Sequence, residues 1–177
     1  MRLKGSDMEE KKLISPEVEK VIAERLKLEG QLRAGANWFF WIAGLSLINS
    51  LVFLFGGRFS FVIGLGVTQL VDGIATSSQI GMGGQFVARA IAFTLDSLIA
   101  LLFIVFAVFA RRNQRWAFWV GISLYAFDSI LFLIFEDYWG IGFHLFALWG
   151  LYGGLAARKK LQGLMGDGLA RSPELSP

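Results

Sequence analysis

Two apolar runs of about 20 residues each, joined by the acidic pair Glu136–Asp137, fill the stretch from Trp116 to Ala156. As a helix, a run of that length rises about 30 Å, enough to cross the hydrocarbon core of a bilayer. An earlier stretch, WFFWIAGLSLINSLVFLFGGRFSFVIGLGVTQLVDGIA from Trp38, reads as a second edition of the same pattern. Trp38-x-x-Trp41 and Trp116-x-x-Trp119 each follow a basic segment, which makes this a weak internal repeat of a helical hairpin. The fold expected is an all-α, polytopic membrane bundle. It has four spans plus a short or re-entrant helix, or else five spans.

Composition supports this and narrows the chemistry. The chain is 55% hydrophobic with a mean hydropathy of +0.56, and the excess lies in runs longer than 18 residues. With no cysteine there are no disulfides, thiolate metal sites or thiol nucleophiles. His144 is the one histidine, so a multi-histidine zinc site or a bis-histidine haem cannot form within one chain, and no metal or cofactor is expected. The net charge of +3 comes from basic residues that flank spans, a topology signal and not a nucleic-acid footprint.

Three regions follow. Residues 1–36 carry eight Lys/Arg and seven Asp/Glu and no apolar segment of signal-peptide type. Ser15-Pro16-Glu17 predicts a helix start, Val18, Ile22 and Leu26 a short apolar stripe, and Gly30 a stop. This predicts an amphipathic helix on the membrane surface or packed on loops. Residues 37–157 hold the spans: Trp38 to about Gly56, Phe86–Ala110, Trp116–Phe135 and Tyr138–Leu155. Phe59–Gln79 is apolar to Val71 and then polar, with Gln69, Asp72 and Thr76 on one helical face. It predicts a short or re-entrant segment buried in protein. Residues 158–177 begin with Arg158-Lys159-Lys160 and predict a disordered tail.

Basic loops stay in the cytoplasm. If Phe59–Gln79 does not cross, nine span-flanking Lys/Arg fall inside and two outside; if it crosses, the division is seven to four. Four spans with both termini cytoplasmic are therefore preferred, in a bacterial plasma membrane.

Three spans share a polar pair near mid-length: Asn49-Ser50, Asp96-Ser97 and Asp128-Ser129. In the four-span arrangement Asn49, Asp96, Asp128 and His144 reach one common height. An aspartate facing lipid at mid-helix costs about 2.5–3.5 kcal/mol on insertion scales, so these groups should point inward and find partners. Ser50, Ser97, Ser129, Tyr125 and His144 are the partners within reach. Arg89 is expected to pair with Asp72 or lie at the interface, and Asp72 to line an entrance. Gly140, Ala147 and Gly154 should let helices approach closely.

Two functions fit. In one, Asp96 and Asp128, with Asn49 and His144, bind and pass a proton or small cation. In the other, the polar layer fixes helix register in a non-catalytic subunit that binds a membrane partner. The lipid bilayer is the expected surrounding in both, with a homo-oligomer or a partner subunit as the assembly. An enzyme is not expected: there is no Gly-x-Ser-x-Gly, and Gly64-x-Gly66 lacks the preceding strand and third glycine of a dinucleotide site. The rhythm Trp…Gly…Asn-Ser…Gly…Leu-Val-Asp72-Gly73-Ile resembles hairpin repeats of small bacterial multi-span membrane proteins. The resemblance rests on hydrophobic spacing and carries over no functional residue.

Overall fold

Ser15 starts the first helix, as its position before Pro16 predicts: its hydroxyl accepts the Val18 amide at 3.4 Å. The computed structural model describes residues 15–55, 65–77, 82–134 and 136–170, apart from the side chains at 72, 75–77, 82–83 and 167–170. They form five α-helices and, among the described residues, no strand: α1 (Pro16–Leu54), α2 (Gly66–Ser77), α3 (Met82–Arg111), α4 (Arg115–Ile134) and α5 (Tyr138–Ala170). Four of these, α1, α3, α4 and α5, are long and apolar enough to cross a membrane. With its 12 residues, α2 rises about 18 Å, well short of the bilayer core. The architecture is therefore an all-α bundle of four helices long enough to span a membrane, with one short internal helix.

Two helices run further than the sequence predicts. α1 passes straight through Gly30 to Leu54. A mid-helix glycine costs about 1 kcal/mol against alanine. The contacts that hold this one come from Leu28, which packs with Ala157 and Leu161 of α5. The predicted stripe Val18, Ile22 and Leu26 is exposed and buries nothing. The same contact explains the second difference. The predicted disordered tail is helical to Ala170, because Ala157 and Leu161 have an apolar partner beyond the span.

The hairpin turns are built alike. In each, a non-glycine residue sits in the left-handed region, Asn113 at φ 63° and Glu136 at φ 56°. Its amide returns to the carbonyl three residues back, and the next amide to the carbonyl five back: Asn113 to Ala110 and Gln114 to Phe109, Glu136 to Leu133 and Asp137 to Phe132. These paired bonds satisfy the last carbonyls of α3 and α4.

Lipid gives helices no hydrophobic reason to associate, so close packing must hold them together. α1 packs most extensively on α3 and α5. Where α1 crosses α5 the two backbones touch at Gly35 and Gly154, so that a Cβ on Gly154 would lie 2.8 Å from the Gly35 Cα. Towards α3 and α4 the filling is aromatic: Phe39 lies 6.1 Å from Phe106 and 6.0 Å from Phe118 by ring centroids. Gly121 leaves the space that the Phe39 ring takes. Large apolar side chains such as Leu98, Leu101, Phe127, Leu133 and Trp149 stay on the outside, where acyl chains would cover them.

Candidate functional site

Helix α2 begins inside the bundle with no cap of its own. Its N-cap position is Leu65, a side chain with no acceptor to offer the first amides. At membrane depth no bulk water replaces that acceptor, and an unmet amide costs several kcal/mol. The acceptors come from two other helices. Ser46 of α1 takes the Leu65 amide at 2.7 Å. Asp128 of α4 takes the Gly66 amide on Oδ2 at 2.7 Å and the Val67 amide on Oδ1 at 2.8 Å. Thr68 closes the turn by donating to the Leu65 carbonyl at 2.7 Å. The carboxylate thus stands at the positive end of the α2 dipole, about 12 Å along α4 from the Glu136 turn at 1.5 Å per residue. Gly66 is required there, because a Cβ would meet the Phe132 ring at 2.5 Å.

Asp128 has a third partner, His144 of α5. The ring Nδ1 faces the Gly140 carbonyl at 2.8 Å, and Nε2 lies 3.1 Å from Asp128 Oδ2. A carbonyl only accepts, so Nδ1 carries hydrogen. A neutral imidazole protonated at Nδ1 presents a lone pair at Nε2, and a carboxylate is also acceptor-only. The contact therefore needs one more proton, held between Nε2 and Oδ2. Rings from α4 flank the imidazole one turn either side of Asp128: Tyr125 stacks at 4.5 Å and 15°, and Phe132 lies at 4.3 Å and 41°.

A second polar contact lies one turn further along α1. Ser50, four residues after Ser46 and so on the same face, donates to Asp96 Oδ2 at 2.7 Å. Asn49, Asp96, Asp128 and His144 are all buried, as the cost of facing lipid predicts. The structure brings Asp128 to His144 and Asp96 to Ser50. Ser97 and Ser129 instead bond carbonyls of their own helices, Phe93 at 2.7 Å and Ala126 at 2.6 Å. The Arg89 guanidinium lies over the Phe53 ring at 5.5 Å. The side chain of Asp72 lies outside the described residues. Among the described residues no group of His, Asp and Glu is placed to hold a metal ion.

No family model, curated protein or solved structure matches this chain. Its chemistry therefore has to be read from its own geometry. Sequence reasoning missed Ser46, Thr68, Phe132 and the two amides of α2. Ser46 and Ser50 at i, i+4 in one span were a usable signal, whereas nothing local marks an amide as unmet.

Proposed function

We propose that the protein is a small proton-linked membrane transporter in which Asp128 and His144 hold the proton and α2 is the part that moves. One observation carries this reading: the carboxylate that clamps the first amides of a half-length helix is the one that lies 3.1 Å from the imidazole Nε2. Changing the proton count of this pair changes the hold on α2. A protonated carboxyl is a weaker acceptor for Gly66 and Val67. A pair stripped of its proton sets two lone-pair atoms, Nε2 and Oδ2, against each other at 3.1 Å. Half-helix ends facing a charged site inside the bundle are a geometry by which transporters bind ions and alternate access. Asp96, with Ser50 and neighbouring Asn49, supplies a second polar station for the proton or another small cation.

The orientation follows from charge. Arg111, Arg112, Arg115, Arg158, Lys159 and Lys160 gather at the end opposite Glu136–Asp137, and the tendency of basic loops to stay inside supports a cytoplasmic side for that end.

The test is proton flux. Vesicles enclosing a pH-sensitive dye and carrying the wild-type chain should admit protons under an imposed potential faster than protein-free vesicles, and Asp128→Asn should remove the difference. A wild type that matches empty vesicles, with exchange of the Gly66 and Val67 amides that does not change with pH, defeats the proposal. A second reading, a subunit whose polar layer only sets helix register, is favoured by the backbone contact of Gly35 with Gly154. On that reading Asp128→Asn loses stability and there is no flux to lose.

A further inference from the structure

At the basic end of the bundle α4 starts beside the point where α5 leaves its span. Between them lies a cleft of about 740 Å³. Four of its lining side chains are cationic, Arg115, Arg158, Lys159 and Lys160, and none is acidic. Arg158 is 8% exposed, an unusual position for a charge. Its Nε donates to the Asn113 carbonyl at 2.9 Å and its Nη1 to Gln162 Oε1 at 3.0 Å. Both partners are neutral, so the charge is hydrogen-bonded but not balanced. Arg115 adds repulsion. Among the described residues no carboxylate lies within ion-pair distance of it. Among the described residues this buried cation therefore has no counter-ion.

The rest of the cleft says what kind of anion fits. Trp119, one turn into α4 from Arg115, and Tyr152 on α5 are both exposed, and Leu155 continues the apolar wall. Trp and Tyr at the end of a span lie at the headgroup level. A phosphate among the four cations would therefore carry its glycerol and upper acyl chain against these rings. We propose that the cleft binds the headgroup phosphate of an anionic phospholipid. A free phosphate satisfies the same cations but makes no use of Trp119, Tyr152 and Leu155.

The probe is a brominated lipid that quenches tryptophan. The full chain is reconstituted in phosphatidylcholine vesicles, with brominated phosphatidylglycerol or brominated phosphatidylcholine as the minor component. The Trp119 signal is the difference between wild type and Trp119→Phe. Phosphatidylglycerol should quench Trp119 at a lower mole fraction than phosphatidylcholine. The double variant R115Q/K159Q, altered at two exposed positions, should need about fivefold more phosphatidylglycerol for each cation removed. Unchanged quenching by phosphatidylcholine reports that the variant bundle is intact. Three results overturn the proposal: equal quenching by the two lipids, a preference that survives R115Q/K159Q, or displacement of phosphatidylglycerol by inorganic phosphate, which assigns the cleft to a free anion.

Discussion

Asp128→Asn separates the cap from the charge in a way that can be worked through atom by atom. The carboxylate accepts on both oxygens, from Gly66 at 2.7 Å and Val67 at 2.8 Å, and Oδ2 also meets His144. An asparagine has one oxygen and one NH₂, so in either orientation one α2 amide faces a donor. A buried donor left unmet costs about 1–3 kcal/mol. Losing the negative charge at the α2 N-terminus adds about 0.3–1 kcal/mol. The expected destabilisation is about 1–4 kcal/mol, read by unfolding in mixed detergent micelles. A second readout follows from the proton count. With an amide N–H in place of Oδ2, the ring Nε2 becomes a plain acceptor and His144 should be the neutral tautomer with hydrogen on Nδ1. Nitrogen-15 spectra report this cleanly because the chain has one histidine. In the wild type the Nε2 signal should instead report a proton held between Nε2 and Asp128 Oδ2. A variant within about 0.5 kcal/mol of wild type, the size of an ordinary surface change, would refute the capping argument. An unchanged imidazole spectrum would refute the shared proton.

Four further outcomes follow from the same structure. Gly35→Ala forces the α1 and α5 backbones apart, because its Cβ would collide with Gly154; a loss of about 1–3 kcal/mol is expected in the same unfolding assay. Ser50→Ala removes the 2.7 Å donor to buried Asp96 and should cost about 1–3 kcal/mol, whereas Ser129→Ala, which loses only a bond to its own helix, should cost less. Glu136→Gly relieves a left-handed non-glycine residue and should raise stability by about 1 kcal/mol, with a smaller gain for Asn113→Gly because asparagine tolerates that conformation. A cysteine placed at Asn113 should resist membrane-impermeant thiol reagents in intact cells, and rapid labelling there would reverse the proposed orientation.

The spans were legible because run length is a one-dimensional property. A helix of about 20 apolar residues has one physical use at that length, and Glu136–Asp137 and Arg111–Arg115 mark where such runs must stop. The burial of Asn49, Asp96, Asp128 and His144 was legible too, since polar groups in the middle of an apolar run are costly to leave facing lipid. Rotation was not. Spans apolar on nearly every side carry no polar stripe to show which face turns inward. The serines illustrate this: Ser50 and Ser129 occupy equivalent places in the repeat, yet one reaches Asp96 and the other its own helix.

Length, apolarity and charge along the chain alone determined a helical bundle with four span-length helices, buried polar residues and a basic end. Tertiary structure decided what those polar residues do. Asp128 meets the amides of α2 across 61 and 62 residues of chain, and Ser46 reaches Leu65 across 19. No local pattern encodes these bonds, because the need they answer arises only when a short helix with an apolar N-cap starts where water cannot reach it. The same holds where helices overran their predicted ends: Gly30 and the α5 extension are helical because Leu28, Ala157 and Leu161 found each other, a contact that exists only after α1 and α5 have packed.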